Sequence, residues 1–345
     1  MVGPRKQLAN VIHRSGLWRL FPSGPLVLCY HGIIESIQDP WLEFVYFSLR
    51  QFRKHLDFFR KHRVVVGLDE MLSCLAEGRT PDPRFVSLCF DDALASFLDR
   101  AAPELVARKI PFAVGVPAGI PDTGRSLWEY EIGFLVYLLD CKRLLANSVR
   151  EMAFICSNAL VRSPRPEKRA TRPAFVWEGD RAQVLRDMQR FFRDSVPSDQ
   201  RVSLLDQLIR EFQPDLHEEL SEDGRFRVMR WDQLREISCA GGYLAAHGYL
   251  HHPHNTTLTD SCRLREFRSS LKEIERNTGQ ATDCFIWPEG VSDLTSITIG
   301  VDNGYKFFIS NRPGFISADT SPKDVPRVSG EWPLPQLLWN AIGLA

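Results

Sequence analysis

Two histidines four residues apart, His247 and His251, and two adjacent carboxylates, Asp91 and Asp92, are residue types whose spacing could do chemistry together. Imidazoles at i and i+4 can face one ion if the segment between them makes a helical turn. Two imidazoles and one carboxylate form a facial set that leaves positions open for water and substrate. Asp91 or Asp92 could supply the carboxylate. Of two neighbouring carboxylates, one can ligate a cation while the other, turned the opposite way, takes a proton from water. Each cluster also has a plainer reading. Asp91-Asp92 could cap a helix beginning at Ala93, and His251, His252 and His254 could belong to a solvated histidine-rich loop.

The clusters gain meaning from the elements that must position them. Residues 26–31 and 85–90 are short apolar runs that predict buried strands, and 64–66, 111–116, 242–247, 284–287 and 305–309 are further strands. Between them, helical spacing of apolar residues predicts helices at 49–62, 68–77, 229–239 and 261–278. Alternating strands and helices imply a parallel sheet, open or closed into a barrel, whose reactive groups gather at the C-terminal strand ends. Asp91-Asp92, His247 and His31 each follow a predicted strand. Residues 122–225 differ in character: helices at about 128–146, 180–194 and 199–212 flank a Pro- and Arg-rich stretch at 162–173, expected as an exposed loop in a long insertion.

Composition narrows the function classes. The chain has 345 residues with 43 Lys plus Arg against 43 Asp plus Glu, so it lacks the basic field of a nucleic-acid-binding protein. Its 8 cysteines are scattered, without a Cys-x-x-Cys pair, and several sit inside apolar runs, which predicts reduced thiols and a reducing compartment. Residues 1–24 carry Arg5, Lys6, Arg14 and Arg19 among apolar side chains, without a signal-peptide core or an apolar run that could span a bilayer. The expectation is a cytoplasmic protein whose basic amphipathic N-terminus covers one end of the domain or rests on the inner face of a membrane.

Several of these residues carry a family resemblance. Phe90-Asp91-Asp92 resembles the Phe-Asp-Asp-Gly signature of the polysaccharide deacetylases, the NodB homology family. His247-x-x-x-His251 resembles their second motif, and Pro288-Glu289-Gly290 resembles the Pro-Tyr-Gly of their third. Cys29-Tyr30-His31-Gly32-Ile33 is similar to the strand that opens many bacterial members, Phe52 to Leu72 to the first helix–strand–helix, and Met229 to Leu244 to the approach to the second motif. The likeness spans roughly 25–120 and 226–330. It implies a distorted (β/α) barrel over 25–345, with the helical insertion at about 122–225, and hydrolytic removal of an acetyl group from a sugar. Asp91 is then the general base, and Asp92, His247 and His251 hold a divalent cation. That ion is most simply Zn²⁺, with Co²⁺, Ni²⁺ or Mn²⁺ as alternatives, and it would acidify the attacking water and polarise the acetamide carbonyl. Pro288, Glu289 and Gly290 would contact the substrate.

Departures from the pattern matter. No histidine follows His254, so the family's late histidine acid is absent; His31 could protonate the departing amine from the first strand, or be structural. Ala93 replaces a glycine, Gly248 a Ser or Thr, His252 a Pro and Glu289 a Tyr. The arginine that often fixes the catalytic Asp is missing, and Arg327 is a candidate substitute at the substrate wall, against an alternative surface role. The base and all three proposed ligands persist, which favours an active enzyme over a decayed sugar-binding relative or an amidohydrolase of small non-sugar amides. The expected partner is an N-acetylated (or O-acetylated) saccharide, in the form of a nucleotide-linked or lipid-linked precursor of surface polysaccharide.

Overall fold

Short runs of Val, Leu, Ile, Phe and Cys with both faces buried suit interior parallel strands, and ten strands form among the described residues. The computed structural model describes residues 7–9, 11, 15, 24–161 and 179–341. The 162–173 stretch and Arg5, Lys6, Arg14 and Arg19 lie outside the described residues. The main sheet contains β1 (Leu26–Tyr30), β4 (Val64–Val65), β5 (Phe85–Phe90), β6 (Ala113–Val116), β7 (Tyr243–Ala246), β8 (Cys284–Ile286), β9 (Phe307–Ile309) and β10 (Val328–Ser329). Its order is β10-β1-β5-β6-β7-β8-β9, with β4 beside the early half of β5, and every pair is parallel. A small parallel pair, β2 (Gly32–Ile34) with β3 (Tyr46–Ser48), stands apart.

The sheet curls until its ends meet. Ile309 at the end of β9 bridges Val325, three residues before β10, through Ser310 N–H to Val325 O (2.9 Å) and Val325 N–H to Phe308 O (2.8 Å). One segment, 322–329, thus bonds the last strand at its start and the first strand at its end. The result is the distorted barrel that the family resemblance implies.

Alternation along each strand sorts the core into two sides. Val27, Cys89, Ala113, Ala245, Cys284, Ile286 and Ile309 cluster inside the curl with Leu68, Met71 and Leu72 of helix α2 (Leu68–Ala76). Leu26, Leu28, Tyr30, Leu88, Phe90, Leu244 and Ala246 point outward beneath the helices, among them α1 (Leu49–His62). A curl this narrow admits only small side chains at many positions, which accounts for its cysteines by packing. All eight cysteines are unpaired, six of them buried. His31, Asp91, His247 and Arg327 share the inward parity of Cys29, Cys89, Ala245 and Ser329, so the pleat alone sends four of the predicted site residues to one place.

After Asp91 the chain runs through a turn and a π-helical stretch (Phe97–Ala101) into α3 (Ala102–Ala107). The carboxylates therefore do not cap a helix starting at Ala93. The described residues of the 122–225 region form five helices: α4 (Trp128–Cys141), α5 (Leu145–Val161), α6 (Arg181–Asp194), α7 (Ser198–Phe212) and α8 (Leu216–Asp223). The expected single helix at 128–146 breaks at Arg143, which is left-handed (φ 58°). Helices α9 (Trp231–Cys239) and α10 (Asp260–Thr278) follow as expected, and α11 (Leu294–Asp302) and α12 (Leu334–Ala341) lie where no element is predicted. Among the described residues no helix is long and apolar enough to cross a membrane.

Candidate active site

Asp91 stands at the inner rim, its backbone N–H donating to Tyr30 O (2.8 Å) and its side chain buried. Arg327, also buried, grips it with two parallel contacts: Nη1 to Oδ1 at 2.9 Å and Nη2 to Oδ2 at 2.7 Å. Arg327 Nε donates to Asn311 Oδ1 (2.8 Å), so the fork is itself aimed. The surface alternative for Arg327 is thereby excluded. Burial pushes the Asp91 carboxyl up, but the Arg327 guanidinium and the imidazoles of His247 and His31 outweigh it and hold the group at about 2.

Parity would turn Asp92 away from the site, and the backbone corrects this. Asp92 (φ 68°) and Ala93 (φ 50°) are both left-handed, a conformation that costs roughly 1–3 kcal/mol for a residue with a Cβ. The turn is held by Met229 N–H to Ala93 O (2.8 Å) and Ala95 N–H to Arg227 O (2.7 Å). Ala93 thus holds a left-handed conformation that a glycine would adopt without that cost.

The His247–His251 segment is also not helical. It is a loop with Gly248 (φ 77°) and His251 (φ 56°) left-handed. A Cβ at residue 248 would lie 2.4 Å from Glu266 Oε2, which accepts the N–H groups of Tyr249 (2.7 Å) and Leu250 (3.2 Å). The close approach of that carboxylate requires glycine here. Folded this way, the loop brings His251 Nε2 to 3.1 Å from His247 Nε2, and Asp92 Oδ1 lies 3.2 and 3.3 Å from the two nitrogens.

These three atoms pass a donor-set test for a divalent cation. His247 Nδ1 donates to Ile286 O (2.9 Å), which leaves Nε2 with its lone pair. His251 Nδ1 faces Glu129 Oε1 at 2.5 Å, which favours the same tautomer. Asp92 Oδ1 is buried without a hydrogen-bond partner, while Oδ2 accepts from Tyr130 OH. Three electron-pair donors therefore converge, and separations of 3.1–3.3 Å are the edges of a tetrahedron with corners about 2.0 Å from its centre, the usual length of a zinc–nitrogen or zinc–oxygen bond.

His252 and His254 do not form a solvated loop. His252 is buried with Nδ1 2.7 Å from Arg201 Nη1, and His254 is buried among Phe267, Phe285 and Trp287. His31 lines the same pocket as the carboxylates and ligands. Its Nδ1 and its backbone N–H both reach Glu331 Oε1, at 2.9 and 2.8 Å. Burial lowers its proton affinity, but the Glu331 carboxylate outweighs this and raises it to about 9.

Of the third-motif residues, Glu289 lines the pocket in a left-handed conformation (φ 52°), with Oε2 3.4 Å from Arg193 Nη1 and Oε1 unpartnered. Burial and the Glu129 carboxylate push it to about 7. Pro288 and Gly290 are not on the pocket wall. Pro288 is buried against Gly248, and Gly290 packs on Asn311. The cavity is about 200 Å³, with Phe44 at its edge half exposed (52%). Trp128, Glu129 and Tyr130, which contact His251 and Asp92, come from the insertion and carry no motif. Their signal is two acids, Glu129 and Glu131, buried in the first turn of the largely apolar helix α4.

Comparison with known proteins follows the same lines. Residues 213–308 match the family model described as polysaccharide deacetylase. The Streptococcus pyogenes deacetylase PplD in complex with acetate superposes with a TM-score of 0.55 at 15% identity, covering 93% of this chain and 99% of that one. IcaB from Ammonifex degensii gives a TM-score of 0.54 at 18% identity, covering 92% and 97%. A de-N-acetylase from Aggregatibacter actinomycetemcomitans gives 0.50 at 15% identity, covering 88% and 93%. Identities this low speak for a common fold. No curated protein matches the chain.

Proposed function

We propose, from the match of residues 213–308 to the polysaccharide deacetylase model and from the shared fold, that this chain is an active hydrolase removing the acetyl group from an N-acetylated saccharide. One observation carries the reading: a prospective metal set (Asp92, His247, His251), an arginine-held carboxylate (Asp91) and a carboxylate-paired histidine (His31) face one pocket.

Asp92, His247 and His251 would hold a divalent cation, most simply Zn²⁺. When bound, the ion supplies Lewis acidity toward water and the acetamide carbonyl. The other roles belong to the chain. Asp91, fixed by Arg327, accepts the proton of the attacking water; its low proton affinity keeps it ionised but makes it a weak base, so it works by position. His31 gives a proton to the departing amine, with Glu331 holding its Nδ1–H and leaving Nε2 as the working atom. Glu289 offers its unpartnered Oε1 to a hydroxyl of the bound sugar. A cavity of about 200 Å³ is smaller than the ~300–1,000 Å³ that encloses a whole drug-sized ligand. One sugar residue enters and the remainder lies outside, where the exposed face of Phe44 can stack on it. This favours a saccharide over a small amide.

The substrate we favour is a lipid-linked or nucleotide-linked N-acetyl sugar handled at the inner face of a membrane. Deleting residues 1–20 should then lower association with anionic vesicles; unchanged association would remove the membrane from the account. The activity itself is tested by acetate release from N-acetylated saccharides, with His31→Ala expected to lose turnover while keeping the metal. Undiminished turnover in that variant would take His31 out of the mechanism.

A further inference from the structure

The two histidine ligands are backed unequally. His247 leans on a neutral backbone carbonyl, Ile286 O, whereas His251 faces a carboxylate, Glu129. That carboxylate is 9% exposed, and its Oε2 has no partner, so its interaction with His251 is its main compensation for burial. Glu129 lies in the first turn of α4, the first helix of the insertion. Its neighbours reach the same centre: Trp128 Nε1 donates to His251 O (3.1 Å), and Tyr130 OH donates to Asp92 Oδ2. Farther along the insertion, Arg201 of α7 bonds His252 and the carbonyl of Phe192 (3.0 Å), with the Trp128 ring 5.1 Å from its guanidinium carbon. The loop carrying both histidines is thus clamped from the insertion side at several points.

Resting on the reading of Asp92, His247 and His251 as a metal set, we propose that the insertion is the outer half of that site. In this assignment Glu129 is a positioning residue that fixes the tautomer and raises the donor strength of His251, and Tyr130 fixes which oxygen of Asp92 is presented. A carboxylate behind a histidine ligand makes the far nitrogen a better donor, and losing such a partner typically costs 10–100-fold in metal affinity. Linkage is reciprocal: what α4 gives to the metal, the metal returns as order in the first turn of α4.

The test measures Zn²⁺ affinity by chelator competition in full-length protein, beside amide hydrogen exchange with and without Zn²⁺. Glu129→Gln keeps an oxygen toward His251 but removes the charge, and should weaken binding 10–100-fold; Tyr130→Phe should weaken it several-fold. Glu131→Gln is the control. Glu131 is buried in the same turn but pairs with Arg125 (2.6 Å) and touches no ligand, so affinity should stay as in wild type even if stability falls. Zn²⁺ should slow exchange at 128–131 in the wild type and less so in Glu129→Gln. Wild-type affinity in both Glu129→Gln and Tyr130→Phe, or an equal loss in Glu131→Gln, overturns the proposal. Should Glu129→Gln not fold, Tyr130→Phe and the wild-type exchange pattern decide alone. If Zn²⁺ binding by the wild type is indifferent to Asp92→Ala and His247→Ala, the metal reading itself fails, and that outcome is distinguishable from the others.

Discussion

At the scale of single residues, the arginine fork on Asp91 and the Glu331 pairing of His31 hold the proposed base and acid in place without any substrate. Arg327→Lys keeps a charge but not the two-point grip; it should lower kcat/KM by about 10²-fold, checked by acetate release, with metal content unchanged. His31 has a definite pH signature. Its proton affinity is raised in the folded state, so its pairing with Glu331 stabilises the fold fully below pH 6.5, and that contribution fades as pH rises through about 9. His31→Gln should therefore cost about 1 kcal/mol in urea unfolding at pH 6, the pair being partly exposed, and nothing near pH 10. Asp91, Asp92, His247 and His251 were legible because motif spacing places them just after strands. Arg327 was legible only as a candidate, since a contact spanning 236 residues leaves no local pattern. The low proton affinity of Asp91 and the burial of His252 and His254 depend on neighbours that no window of sequence contains.

At the scale of elements, the strand pleat chooses which residues face inward, and local turns adjust the exceptions. The left-handed pair at Asp92-Ala93 and the Gly248 turn are those adjustments. Gly248→Ala should be severe for so small a change. The new methyl meets Glu266, whose oxygens hold the Tyr249 and Leu250 amides, so a loss of about 2–4 kcal/mol is expected from strain and lost hydrogen bonds together. Thermal unfolding would measure it, and a change below about 0.5 kcal/mol would show that the turn has room to give. Strands β1 and β4 to β9 and most helices could be read from apolar periodicity, whereas β2, β3 and β10 could not. The nonhelical loop between His247 and His251 could not, because spacing alone fits both a helical turn and a glycine turn. The contribution of α4 was hidden for a different reason: Glu129 faces a histidine 122 positions later, and apolar periodicity describes only how a helix packs.

For the whole molecule, the closing of the barrel by 322–329 brings the chain's last third against its first. His31 and Arg327 flank Asp91 for that reason, although the sequence separates them by nearly 300 residues. A ligand bound only by the folded state stabilises it, by about 4 kcal/mol at a thousand times its Kd. Exhaustive chelation should accordingly lower Tm by several degrees, and readdition of Zn²⁺ should restore it, as followed by calorimetry. No shift would mean that the three converging donors hold no ion. The central claim is that this site turns over N-acetylated saccharide with Asp91 as base. Its most direct test is acetate release by metal-loaded wild type and Asp91→Asn, with metal content assayed in both. Release by the wild type is expected, with a loss of ~10³-fold or more in Asp91→Asn at equal metal content. A wild type carrying one metal per chain, yet releasing no acetate from a broad saccharide panel, would contradict it.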